Sequence, residues 1–269
     1  MKLQTFHKQC RDIRSMIIDM IAVNNRGHYG SAMSIVELLV FLYYDFLNIN
    51  PKSPNNDNRD RFILSKGHGC LALYAILAAK GFFPKDKLLD FQKLDSLLPG
   101  HPEIHIPGVE ASTGSLGHGL GVGVGMALAL KLKKNPSKVV VLLGDGELNE
   151  GSIWEAALHA SKHKLSNLYV IIDYNKIQSF GRTEDVCPLE PLNKKWESFG
   201  FNVVDFNGHD YKSIKKKIKS VNRKALMPKL FISHTTKGKG YKESENNPLW
   251  HHKNFKLDEI KLLKEHFKH

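Results

Sequence analysis

Cysteine is scarce in this sequence, and so are long apolar runs. Cys10, Cys70 and Cys187 are the three cysteines present. They fall at no metal-binding spacing and, being odd in number, cannot all pair with one another. This excludes a disulfide-stapled secreted fold and points to a reducing, cytoplasmic setting. The nearest approach to a membrane span, Ile13 to Val23, is interrupted by Arg14 and Asp19 and reads as an amphipathic helix. The N-terminus lacks the basic, apolar and small-residue pattern of a secretory leader. Internal repeats and low-complexity tracts are also missing.

Acidic residues run short in one region. The chain carries 39 Lys and Arg against 27 Asp and Glu, a net charge of +12. From Lys212 onward there are 16 basic and 5 acidic residues, whereas residues 1–211 hold 23 and 22. The basic segment reads first as a solvated face or a partner surface. Nucleic-acid binding ranks behind these, because no nucleic-acid motif and little aromatic interleaving accompany the charge.

What is present is a chain of 269 residues, enough for one large α/β domain with a well-buried core. No interior boundary appears, and the residues from about 241 read as a basic tail. Ile13, Ile17, Met20 and Ile21 give helical spacing to residues 4–24. Arg26-Gly27-His28-Tyr29-Gly30 reads as a loop. Ser34 and Glu37 form a capping box that predicts a helix to about Leu47. Short buried strands are predicted at 61–65, 138–143, 168–173, 201–206 and 229–233, with helices between them. That alternation predicts a doubly wound, mostly parallel sheet with helices on both faces. From Gly117 the helical pattern carries Gly119, Gly121, Gly123 and Gly125, each costing about 1 kcal/mol in a helix interior. Close packing against other backbone is the expected compensation. The spacing is not a dinucleotide fingerprint, since G-x-G-x-x-G fails and no strand immediately precedes it.

The strongest chemical signal follows the strand at 138–143. It reads Gly144-Asp145-Gly146-Glu147-Leu148-Asn149-Glu150-Gly151 and runs into a helix. The next strand ends in Asp173-Tyr174-Asn175-Lys176-Ile177. Ligands of such sheets bind beyond the carboxyl ends of the strands. There Asp145 and Asn175 can converge as a carboxylate and an amide oxygen for a hard cation, which shares its octahedron with phosphate oxygens. Gly144 and Gly146 would let the backbone turn sharply, and the next helix would offer its N-terminus to the anion. Gly-Asp-Gly alone would be an ordinary turn. With Asn175 leaving the next strand, a magnesium-bridged diphosphate is the better reading.

These residues resemble the thiamine diphosphate motif, and GDGELNEG resembles transketolases in particular. The related deoxyxylulose phosphate synthases are less similar, because they lack the acidic residue that Glu150 represents. RDRFILSKGHGCLALYA, Gly100-His101-Pro102-Glu103, STGSLGHGLGVGVGMALA and SENNPLWHHK resemble further transketolase segments, so the likeness runs from about Arg11 to Asn254. The resemblance implies thiamine diphosphate with Mg²⁺ (or Ca²⁺ or Mn²⁺ in its place). Asp145, Asn175 and the Ile177 carbonyl would hold the metal. His68, Gly146, Asn175 and His251 would meet the diphosphate side, with Gly114, Ser115 and Leu116 touching the cofactor through their backbone. His28, His101 and His251 would line the donor sugar and serve as its catalytic residues. Glu150 and Glu155 would be acids at the contact between subunits.

Histidine is plentiful, 14 in all, so any one alone is weak evidence. His28, His68 and His101 lie beside glycines on loops, and neutral imidazoles suit the proton transfers of ketol cleavage. His252 stands where transketolases usually carry glycine, so either His251 or His252 can be the functional residue. Lys237 and Tyr241 read equally as cofactor contacts or surface. A full transketolase also carries a pyrimidine-binding domain, and no such pattern follows here. The resemblance therefore implies a separate C-terminal transketolase subunit. It further implies a heterotetramer, activity only with that partner, and a sugar or sugar phosphate as substrate. Alternatives are ketol transfer to an unusual or nucleotide-linked sugar in a biosynthetic pathway, a non-catalytic scaffold, and a nucleic-acid-binding module.

Overall fold

A computed structural model describes residues 1–179, 181–221 and 226–268. Five strands form one all-parallel sheet: β1 (Arg61–Leu64), β2 (Val139–Gly144), β3 (Leu168–Tyr174), β6 (Asn202–Asn207) and β7 (Lys229–His234), in the order β1-β2-β3-β7-β6. A two-stranded ribbon, β4 (Ile177–Gln178) with β5 (Gly181–Arg182), follows β3. The helices are α1 (Leu3–Asn24), α2 (Tyr29–Met33), α3 (Val36–Phe41), α4 (Cys70–Lys80), α5 (His118–Leu132), α6 (Gly151–Lys162), α7 (Thr183–Val186), α8 (Leu192–Ser198), α9 (Tyr211–Ser220) and α10 (Leu257–Lys268).

β2 and β3 are buried at every position, as expected of central parallel strands covered on both faces. Their side chains alternate between two cores. Val140, Leu142, Tyr169 and Ile171 face the layer built from α1, α3, α4 and α9. Val139, Val141, Leu143, Val170 and Ile172 face α5, α6 and α8. Fully burying each such aliphatic side chain contributes about 1.5–3 kcal/mol. The predicted doubly wound sheet with helices on both faces is what forms. β2 and β3 pair in register from Val139↔Leu168 to Gly144↔Asp173, so their exits lie side by side.

Several local expectations fail. Ser34 and Glu37 make no capping box. Ser34 Oγ donates to Asp173 Oδ2 at 2.6 Å, and Glu37 pairs with Arg14 at 2.8 Å and His209 at 3.1 Å. Long-range partners outcompete the local cap, and the predicted helix forms as α3 followed by a π-turn at Leu42–Phe46. The predicted loop at Tyr29 and Gly30 already belongs to α2. The residues after 241 end in α10, whose Ile260, Leu263 and Phe267 are buried in the core that α1 shares.

The helical glycines divide by face. A Cβ on Gly119 would come within 2.5 Å of the Ser65 Cβ and 2.7 Å of its Cα, and one on Gly123 within 2.4 Å of Val141. Those two let α5 lie against the sheet. A Cβ on Gly121 or Gly125 meets nothing within 4 Å, so the expected close packing does not account for that pair.

Candidate active site

A cavity of about 440 Å³ opens where β2 and β3 end. Its wall includes His28, Lys66, His68, Asp145, Asn175, Lys237 and His251. These residues reach it from several loops. β1 leads to Lys66 and His68, β2 to Asp145, β3 to Asn175, and β7 to Lys237.

Asp145 is buried and fixed by backbone. The amide of Gly146 donates to its Oδ1 at 2.8 Å and that of Lys176 to its Oδ2 at 2.6 Å. Burial and the nearby Asp173 carboxylate raise its pKa to about 7 despite those donors. Asn175 Oδ1 accepts from the Ile177 amide at 3.1 Å, and its Nδ2 donates to Asp173 at 3.0 Å. The Ile177 carbonyl accepts from Lys237 Nζ at 2.8 Å. Asp145, Asn175 and Ile177 thus line one cavity. Gly114, Leu116, Gly146 and Glu150 line it too, whereas Ser115 and Glu155 are exposed beyond that wall.

The chain bends at Asp145 as it leaves the strand, but neither Gly144 nor Gly146 has positive φ, so the bend does not draw on the left-handed freedom of glycine. Gly146 matters for close approach instead, since a Cβ there would press on Gln178 at 3.1 Å. The α-helix begins at Gly151 as predicted, and the motif residues Gly146–Asn149 before it form a 3₁₀ turn.

The loop histidines gather around His28. Its ring centroid lies 5.3 Å from His68, 6.3 Å from His101, 5.2 Å from His251 and 5.0 Å from His252. Burial, then His252 and His101, lower the His28 pKa to about 4. Burial and Lys237 lower His251 to about 3, and burial with Lys66 holds His68 well below the ordinary histidine value. These three imidazoles are neutral near pH 7 and able to accept protons. Between the paired candidates, His251 lines the cavity and approaches His68 at 5.9 Å, while His252 is exposed beside His28. Lys237 is buried in the cavity wall, and burial followed by Lys66 lowers its pKa to about 8. Tyr241 instead packs on Trp250 and His266.

Sequence reasoning missed the polar floor. Lys66 and Asp173 form a fully buried ion pair at 2.5 Å. Asp173 also accepts from Ser34, Asn175 and Thr235. Burial alone would raise this carboxyl, but the Lys66 ammonium and the hydroxyl donors hold it below its ordinary value. Glu147, buried, accepts from Ser65 Oγ, the Gly117 amide and the Gly144 amide, and so ties three loops together. Asp173 sits within the apolar end of β3 and Lys66 just past that of β1, where a buried ionisable residue is itself a signal.

The fold and site define a thiamine diphosphate-binding α/β class. The family model described as "Transketolase, thiamine diphosphate binding domain" matches residues 6–269. The chain belongs to the transketolase family. It is 46% identical over 263 residues to an apulose-4-phosphate transketolase subunit of Actinobacillus succinogenes, covering 97% of this chain and 95% of that one. It is 40% identical over 252 residues to the 6-deoxy-6-sulfo-D-fructose transketolase subunit SqwG of a Clostridium species, covering 93% and 91%. The Campylobacter jejuni transketolase structure superposes with a TM-score of 0.92 at 36% identity, covering 99% of this chain but 43% of that one. The chain therefore spans less than half of the single-chain enzyme and nearly all of the separate subunits, and it stands with the N-terminal subunits of split transketolases.

Proposed function

We propose that this chain is the diphosphate-binding half of a two-subunit, thiamine diphosphate-dependent transketolase. With a C-terminal pyrimidine-binding subunit, in a heterotetramer, it would move a two-carbon ketol unit from a ketose to an aldose. The observation that carries the reading is the meeting of Asp145, Asn175 and the Ile177 carbonyl in a cavity walled by lysines and neutral histidines.

The donor set suits the cofactor. Asp145, Asn175 and the Ile177 carbonyl would hold Mg²⁺ through one carboxylate, one amide oxygen and one carbonyl, the hard oxygen donors that this ion takes alongside phosphate. Ca²⁺ or Mn²⁺ can substitute with the same hard donors. Among the described residues no cluster of three or more His, Cys, Asp or Glu competes as a metal site. Ser31 Oγ, buried and without a hydrogen-bond partner, belongs to a residue that also lines the cavity, as a group awaiting a ligand would. Lys237 would offset part of the diphosphate charge and the neutral His68 would hydrogen-bond to it, while Gly114, Ser115 and Leu116 would touch the cofactor through their backbone.

The chemistry that bound thiamine diphosphate supplies is a nucleophilic carbon able to take up and release a ketol unit. This chain's residues orient the donor and move its protons. His28 and His251, neutral at working pH, accept a hydroxyl proton as the carbon–carbon bond breaks, and His101 bonds the same polyol. Glu150 and Glu155 sit toward the contact between subunits. No helix among the described residues is long and apolar enough to cross a membrane, and a cytoplasmic setting fits the free cysteines.

A second reading keeps the chemistry and changes the sugar. Both of these separate-chain relatives are named for unusual sugars, apulose-4-phosphate and 6-deoxy-6-sulfo-D-fructose. An uncommon acceptor in a biosynthetic pathway, including a nucleotide-linked sugar, is consistent with that. A non-catalytic scaffold is disfavoured by the retained cavity chemistry. Isothermal titration of thiamine diphosphate into the assembled complex tests the proposal. Binding should need Mg²⁺ and fall at least tenfold in Asp145→Ala, and ketol transfer should appear only when both subunits are present. Metal-independent binding, or turnover by this chain alone, would sink it.

A further inference from the structure

His252 departs from the transketolase pattern at the place where the chain re-enters the site, and its position is built. The segment that carries it is tied to the end of α1 by one side chain. Asn25 donates from Nδ2 to the Phe255 carbonyl at 2.7 Å and accepts the Phe255 amide at Oδ1 at 2.6 Å. Asn25 itself is the left-handed C-cap of α1, φ 55°, with its amide bonded to the Ile21 carbonyl. Trp250 and Phe255 then pack on Tyr29 at 5.3 and 5.6 Å, and on each other at 5.4 Å. Both ends of the stretch 250–255 are thereby anchored to residues flanking His28. The register leaves His252 exposed, edge to face with His28 at 5.0 Å.

An exposed imidazole held against a half-buried one can meet a substrate atom just beyond those the inner ring reaches. His28 lines the cavity, so the inner ring serves the reacting end of a sugar. The outer ring then faces the part of the polyol that points toward solvent. An imidazole there donates to, or accepts from, a hydroxyl, and it can donate to a phosphate or sulfonate oxygen.

We infer that His252 is a specificity-determining residue, which bonds the sugar chain beyond the transferred two carbons, and that Asn25 positions it. This rests on the transketolase reading above. His252 does not touch the reacting carbons, so its effect depends on substrate length. A short ketol donor with no hydroxyl past the transferred unit does not feel it.

The test uses the complex of both subunits, loaded with Mg²⁺ and thiamine diphosphate. Ketoses and ketose phosphates are screened for a long donor that the wild type accepts, and hydroxypyruvate serves as the short one. In His252→Ala the ratio of kcat/KM for the long donor to that for hydroxypyruvate should fall about tenfold, the loss of one hydrogen bond, mostly in KM. His252→Gln, which keeps a donor and an acceptor, should recover part of it. Asn25→Ala should shift the ratio the same way by freeing the segment. Cofactor affinity, read by titration calorimetry, should stay within about twofold of wild type in His252→Ala. Hydroxypyruvate turnover with an unchanged ratio, or an equal loss on both donors, overturns the role of His252 alone. A wild-type complex that turns over neither donor overturns the transketolase reading and this inference together.

Discussion

Replacing Lys66 by methionine keeps the length of the stem and removes the cation bonded to Asp173. The pair lies under the site with side chains 1% and 0% exposed. Breaking a buried ion pair on one side typically costs about 3–5 kcal/mol, because the remaining charge has no water to turn to. Asp173 would keep the Ser34, Asn175 and Thr235 donors. That places the expected loss at the lower end, about 3 kcal/mol, still a large share of the roughly 5–15 kcal/mol that holds a typical domain folded. Urea unfolding at pH 7 should show the loss as a lower midpoint with an unchanged slope. Lys66→Met with Asp173→Asn should recover most of it, since neither member of the pair then carries a charge. The pH dependence separates charge from packing. Without Lys66 the native carboxyl rises above its unfolded value. The folded state then binds the extra proton, so the variant's deficit shrinks as pH falls and grows as pH rises. A loss below about 1 kcal/mol at pH 7, no rescue by the second substitution, or a deficit independent of pH would refute the reasoning.

Two further outcomes follow from the same structure. His28 and His251 have native pKa values lowered to about 4 and about 3 from an ordinary 6.5. The unfolded chain takes up protons first, so their contribution is full above about pH 6.5 and is lost as pH falls toward about 4 and below. The cofactor-free chain should show this as a falling Tm over that range by circular dichroism, flatter in His28→Gln, and an equal slope in both proteins would count against it. Gly119→Ala should destabilise by roughly 1–3 kcal/mol through its collision with Ser65, whereas Gly125→Ala on the open face should gain up to about 1 kcal/mol of helix propensity. Urea midpoints that moved in the same direction for both would show that the two faces of α5 are not distinguished by packing.

The architecture and the site were legible to different degrees, and for a physical reason. β2 and β3 announce themselves because a central parallel strand is apolar on both faces, and their shared register then fixes Asp145 beside Asn175 without further information. The site's outer shell is local in sequence, with His28, His68 and His101 each next to a glycine. The floor is different. Ser34 looks like a helix cap until Asp173, 139 residues away, competes for its hydroxyl. Glu37 looks like the other half of that cap until Arg14 and His209 claim it. Glu147 sits inside the diphosphate motif, yet its work is to hold Ser65 and Gly117, which only the folded chain brings near. A local rule assumes that the nearest partner wins. Inside a low-dielectric core, a charged partner at long sequence separation wins instead, because leaving it unpaired costs more than a lost cap, about 3–5 kcal/mol against about 1. The misreading at Ser34 therefore falls on the buried Lys66–Asp173 pair under the cavity, and that at Glu37 on a second buried pair, with Arg14. Failed local rules at polar residues are themselves a pointer to buried charge, which at Ser34 is the floor of the cavity.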